Sequence, residues 1–189
     1  MRRTPKTPGH RTASQASGRP VVAITHAAIQ ASERYLRAAF WGATERIVYW
    51  AGVKRPDVWV VTTVIRPDAI MTRGSFETSA AANAAVVTYL SDAGLSLIGQ
   101  IHTHPGSFVD HSAGDDEDAF MPIENSVSIV VPNYGREGML PLNRCGVHRY
   151  EAGVFRRLHG AEVAIFFCVV PLTRDFAHER TPTVPVDCR

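Results

Sequence analysis

Long apolar runs are missing from this chain: none approaches the ~18 residues that a membrane-spanning helix needs. The first residues lack the apolar core of a signal peptide, so export is not expected. Cysteine is scarce. Cys145, Cys168 and Cys188 form no Cys-x-x-Cys couple, and an odd, scattered set argues against a disulfide framework and fits a reducing compartment. Neither sign of charge dominates, since 20 Lys and Arg meet 18 Asp and Glu for a net charge of +2. That balance compels neither a membrane nor a nucleic-acid partner. Internal repeats and signs of a second domain are also absent. The expectation is a soluble cytoplasmic protein.

What is present is an ordinary globular composition, 45% hydrophobic over 189 residues, with room for one domain and a sizeable core. Residues 1–20 carry Arg2, Arg3, Lys6, Arg11 and Arg19 and no acid. With so little to bury, this basic tail cannot offset its ordering entropy and is expected to be disordered. The domain should span 21–170, followed by a charged, Pro-containing tail over 171–189.

Within the domain, Val21 to Ile24 reads as a buried strand, with Thr25 capping a helix that Gly42 ends. Ile29, Leu36 and Phe40 mark that helix's apolar side. Glu45 to Ala51 and Val58 to Ile65 read as strands joined by a turn over Gly52 to Pro56. Arg66 to Thr78 reads as a long loop. Ser79 to Ala93 is an Ala-rich helix, closed by Gly94 and expected to lie against the sheet. Ser126 to Val131 is a further strand. Cys145 to Tyr150 and Val154 to Leu158 form a hairpin about Ala152 and Gly153. Glu162 to Val170 is a strand or a short helix, which period alone leaves open. The sum is α/β, a mixed curved sheet flanked by helices.

One stretch carries the chemistry, IGQIHTHPGSFVDHSAGDDEDAF from Ile98 to Phe120. A strand from Leu95 delivers His102 and His104 in alternation, so both imidazoles leave one face. Pro105 and Gly106 break the ladder, and Ser112 and Asp115 stand at the spacing of a helix cap and its first turn. Neither pair alone is specific. Together they offer two imidazoles and a carboxylate, three ligands with a fourth position open, the make-up of a catalytic metal site. Nitrogen and oxygen donors suit zinc but also admit iron or manganese.

His102-x-His104, seven residues, Ser112, two residues, Asp115 resembles the signature of the JAMM (JAB/MPN-type) metallopeptidases, in the prokaryotic, deubiquitinase-like form. Glu45 and Gly52 match the family's upstream Glu-x-x-Gly-x-x-x-Gly, with Val48 where the first glycine usually stands. The resemblance implies a single JAB/MPN-like domain and one zinc per chain, held by His102, His104 and Asp115. It implies Glu45 as general base and Ser112 as oxyanion donor. The implied reaction is hydrolysis of a peptide or isopeptide bond after the C-terminal glycine of a ubiquitin-like protein. E1- and E2-like conjugation enzymes, or a bacterial defence system, are the implied setting, and the Arg66 to Thr78 loop could pair with an extended substrate tail.

Two rival readings come from other classes. A non-catalytic MPN scaffold usually lacks one or more ligands, and none is missing here. A mononuclear iron oxygenase would place His-x-Asp/Glu and a distant His on a helix-poor barrel, an order this chain lacks. Among the remaining histidines, His111 is expected exposed at the rim. Cys145-x-x-His148 points to opposite faces of a strand and makes a poor half-site. Asp110, Asp116, Glu117 and Asp118 read as a helix start.

Overall fold

Residues 19–37 and 43–171 are described by the computed structural model. The expectations for residues 1–18, for Phe40 and Gly42, and for the tail from 172 fall outside them. β-Branched runs supply most of the strands: β1 (Val21–Thr25), β2 (Ile47–Lys54), β3 (Val58–Ile65), β4 (Ala69–Met71), β5 (Phe76–Thr78), β6 (Ser96–Thr103), β7 (Val127–Val131), β8 (Gly146–Glu151), β9 (Val154–Leu158) and β10 (Phe167–Val170). The helices are α1 (His26–Leu36), α2 (Ala80–Asp92), α3 (Ala113–Glu117) and α4 (Ala161–Phe166). Eight strands form one mixed, curved sheet in the order β10-β1-β3-β2-β6-β7-β8-β9, and β4 pairs only with β5.

The core sits on both faces of this sheet. On one face Val48, Trp50, Ile98, Ile101 and Ile129 pack with Ile29 and Leu36 of α1 and Phe166 of α4. On the other, Ile47, Tyr49 and Leu97 meet Val86 and Leu90 of α2. A serine on the buried side of α1 has a specific job. Ser32 Oγ accepts the indole N–H of Trp50 at 2.8 Å and donates to the Ala28 carbonyl, so neither buried polar group is left alone. Thr25 caps α1 and Ser79 caps α2, each through its side-chain oxygen.

Several segments depart from the expectation. The turn predicted over Gly52 to Pro56 begins later, because β2 runs on through Lys54. Gly52 lies inside the strand, where register shifts against β3 between Ala51 and Gly52. A Cβ on Gly52 would lie 1.9 Å from the Val60 carbonyl oxygen, so close backbone approach fixes this glycine. Val48, by contrast, is wholly buried in the core. The loop predicted over Arg66 to Thr78 contains the β4–β5 hairpin. α2 does lie against the sheet as expected, through Val86 and Leu90, since alanine promotes helix without supplying much surface to bury. Glu162 to Val170 is both things at once, α4 followed by β10. Cys145 is a buried free thiol, whereas Cys168 is disulfide-bonded, a bond that the odd, scattered set of cysteines did not lead one to expect. No described helix is long and apolar enough to cross a membrane.

Gly52→Ala is expected to cost about 1–3 kcal/mol, because the added methyl must displace the backbone of β3. Gly74→Ala, with nothing within 4 Å of the new atom, should leave the unfolding midpoint almost unchanged. Thermal or urea unfolding of the two variants checks this; equal midpoints would refute the close-approach account.

Candidate metal centre

The register of two antiparallel strands assembles the site. β2 and β6 pair with Ile47 opposite His102. The ladder extends one step further, since the Thr103 N–H donates to the Arg46 carbonyl at 3.0 Å and the Arg46 N–H donates to Thr103 Oγ1 at 2.9 Å. The next step places Glu45 beside His104. The Glu45 N–H also donates to the Thr72 carbonyl in the β4–β5 turn, which ties the hairpin to the site. His104 continues past the end of β6, its N–H on the Val131 carbonyl and its own carbonyl accepting from the Tyr134 N–H.

Asp115 arrives from the other side. Ser112 caps α3 in a full capping box: the Ser112 N–H donates to Asp115 Oδ2 at 2.6 Å and the Asp115 N–H to Ser112 Oγ at 3.3 Å. The Ser112 hydroxyl also lies 2.9 Å from Asp115 Oδ2. Asp115 Oδ1 then lies 3.1 Å from His102 Nε2 and its Oδ2 lies 3.3 Å from His104 Nε2. The two imidazole nitrogens are 3.2 Å apart.

These separations are compatible with a shared metal ion. Donors each 2.0–2.1 Å from one tetrahedral centre stand about 3.3 Å from one another. Without a shared ion or proton, two imidazole nitrogens at hydrogen-bonding distance oppose their lone pairs. His104 Nδ1 reaches the Phe108 carbonyl at 3.0 Å, so that nitrogen carries the proton and Nε2 is left as donor to a metal. His102 Nδ1 is buried with no hydrogen-bond partner among the described residues. The Phe76 ring, 5.3 Å away, and the His104 ring flank the His102 imidazole. Among the described residues, His102, His104 and Asp115 form a group whose ligand atoms all lie within 4.8 Å of one another.

The electrostatics follow from burial and the shared carboxylate. Burial lifts the Glu45 carboxyl to about 7; His104 pulls it down and Asp115 pushes it up. Burial also works to raise Asp115, yet hydrogen bonds from His102 and His104 overcome it and hold the carboxyl far below its ordinary range. Burial depresses His102 and leaves it neutral, as a ligand must be. It acts the same way on His104, but there the Asp115 hydrogen bond and charge win and raise the imidazole.

A cleft of about 350 Å³ opens over this group, lined by Glu45, His104, Ser112 and Asp115 and narrowed by Phe76 and Phe108. All five predicted site residues are thus brought together. Sequence reasoning missed Phe76, which lay in a stretch read as loop. It also misplaced His111: that side chain is 6% exposed, not a rim group, because its ring is covered by His148 and Phe155. The one available signal was position, with His111 and Asp116 bracketing the Ser112–Asp115 box.

Residues 31–140, more than half of the chain, match the family described as prokaryotic homologs of the JAB domain. The chain is a prokaryotic JAB-domain protein. A Sinorhizobium fredii protein named "probable metalloprotease" is 29% identical to it over 120 residues, which cover 61% of this chain and 74% of that protein. A solution structure of a Desulfitobacterium hafniense protein shares the fold, with a TM-score of 0.57 at 15% identity, over 84% of this chain and 97% of that one. The JAB fold, the metalloprotease relative and the converging His-His-Asp group agree on a metal site.

Metal binding must displace the proton that Asp115 stabilises on His104. The His104 pKa is raised, so the competing proton persists to higher pH than on an ordinary histidine. Affinity is expected to rise with pH up to that raised value and then level off. Below it the loss is about tenfold per pH unit for one displaced proton. Titrations against a competing chelator between about pH 5 and 8 check this; a flat profile would remove the coupling.

Proposed function

We propose that this JAB-domain protein is a zinc peptidase of the cytoplasm, hydrolysing the peptide or isopeptide bond after the C-terminal glycine of a ubiquitin-like protein. The observation that carries the reading is the convergence of two imidazole nitrogens and one carboxylate beside a buried glutamate that lines a cleft. The Asp115 carboxylate and the two imidazoles, His104 once its extra proton is displaced, are a donor set suited to zinc, which His102, His104 and Asp115 would hold. Bound there, zinc would supply a water of near-neutral pKa and polarise the scissile carbonyl.

The remaining steps belong to the chain's own side chains. Glu45, with its pKa lifted to about 7 by burial, is matched to a proton transfer near neutral pH. It takes the proton of the attacking water and returns it to the leaving amine. Ser112 Oγ, now turned to Asp115, reorients toward the substrate carbonyl oxygen as charge develops there. The β4–β5 hairpin offers a backbone edge beside the cleft for an extended tail, and Phe76 and Phe108 narrow the passage to residues without bulky side chains. A tail ending in glycine suits that passage. E1- and E2-like enzymes that build such conjugates fit as functional neighbours.

Incubation with fusions of ubiquitin-like proteins ending in glycine tests the reading directly. Wild-type protein loaded with zinc is expected to cleave and chelator-stripped protein is not. Glu45→Ala should lose on the order of a hundred-fold or more in rate with its zinc content intact, since the base is not a ligand. Ser112→Ala should lose on the order of a hundred-fold. Asp115→Ala should lose metal and activity together. Full activity in Glu45→Ala, or cleavage by the stripped protein, would sink the proposal.

A further inference from the structure

Directly behind the candidate centre lies a second group of buried polar side chains to which the reaction above gives no role. Ser128 sits at the middle of it, on β7, wholly buried. Its Oγ is 2.9 Å from His111 Nε2 and 3.3 Å from Gln100 Nε2. Gln100 lies on β6 two residues before His102, and its Oε1 accepts the Phe120 N–H at 3.0 Å. The other ring nitrogen of His111, Nδ1, is 2.6 Å from Asp116 Oδ1.

For a neutral His111 imidazole, the donor and acceptor inventory gives this chain one direction. A carboxylate only accepts, so His111 Nδ1 carries a proton and donates it to Asp116. His111 Nε2 is then an acceptor, and the one hydroxyl proton of Ser128 goes to it. Ser128 Oγ accepts in turn from the Gln100 amide, whose oxygen is held by the Phe120 N–H. The line runs from Asp116, whose side chain is 55% exposed, through His111 and the buried Ser128 on β7 to Gln100 on the strand that bears the histidines.

The position of the line in the sequence matters as much. His111 and Asp116 immediately flank Ser112 and Asp115, so their bond closes an outer ring around the capping box. The ring of His111 is clamped from the sides: it stacks on His148 at 3.9 Å and meets the edge of Phe155 at 5.0 Å. Space for this was made by a glycine. A Cβ on Gly146 would lie 1.6 Å from the Val109 carbonyl oxygen, so the loop that leads into His111 lies directly on β8. α3 is only five residues long and cannot hold Asp115 in place by its own helical bonds.

We infer that His111 is a positioning residue for the metal centre: through Asp116 on one nitrogen and Ser128 on the other, it fixes the Ser112–Asp115 box so that Asp115 faces both imidazoles. This rests on the metal reading above and adds a residue to it. His111 touches neither metal nor substrate. It acts by removing the freedom of the carboxylate that does.

Zinc affinity, measured against a chromogenic chelator at fixed pH, separates this role from a general contribution to the fold. His111→Ala and Ser128→Ala are each expected to bind zinc 10- to 100-fold more weakly, the range for partners that orient a ligand. Combined, they should lose little more than either alone, because both break one line. His111→Gln, which keeps a donor and an acceptor, should recover part of the affinity. Ser32→Ala, which breaks a buried bond on α1, should lower the unfolding midpoint with zinc affinity unchanged. Wild-type affinity in His111→Ala overturns the inference and leaves the metal site standing. If wild-type protein itself binds no zinc, the metal reading falls and takes the inference with it.

Discussion

Everything at the centre depends on one pairing, β2 against β6 with Ile47 opposite His102. Side chains alternate along a strand, so a slip of one residue would turn His102 to the other face of the sheet and carry Glu45 out of reach. The register is specified by burial on both faces at once. Val48, Trp50 and Ile101 belong to one core, while Ile47, Tyr49 and Leu97 belong to the other. A shifted ladder would exchange the two sets and leave neither core filled. The geometry of the site is thus enforced by hydrophobic packing that contains none of its polar residues.

The polar residues themselves work against the fold. Glu45, His102, His104 and Asp115 are all buried, and burial alone disfavours the charge on each. Their arrangement offsets this unevenly. Asp115 is surrounded by donors and stays ionised, whereas Glu45 has no such company and is pushed toward neutrality. Two neighbouring carboxyl groups therefore hold opposite protonation tendencies, the division that the proposed roles of ligand and base call for.

Much of this was legible in the chain because the relevant signals are local. His102, His104, Ser112 and Asp115 fall within one strand, loop and helix start, and alternation plus a capping pattern is enough to bring them together. Glu45 required the resemblance, since its place beside His104 comes from pairing between distant strands. His111 was misread for a related reason. A histidine in a polar loop, one residue before Ser112, looks exposed, and what covers it comes from β8 and β9, more than thirty residues downstream. α2 was placed correctly against the sheet, but composition alone left open which of its residues meet it, since alanine declares a helix and not a face. Gly52 was read as a turn residue because a glycine before a proline commonly is one, while the close approach that needs it lies across the sheet in β3.

The shift of register in the middle of β2 has a consequence for how the molecule could vary. Its ladder steps against β3 between Ala51 and Gly52, and against β6 between Trp50 and Ala51. The strand is in effect two short rulers laid end to end with a joint between them. The ruler that carries Glu45 is anchored on the histidine strand, while the other leads to the exposed corner at Arg55–Asp57. Residues gained or lost at that corner fall on the far side of the joint from Glu45. The joint gives evolution, or an engineer, a place to lengthen the hairpin, attach a binding element or graft a tag without disturbing the alignment of the reactive groups at the far end.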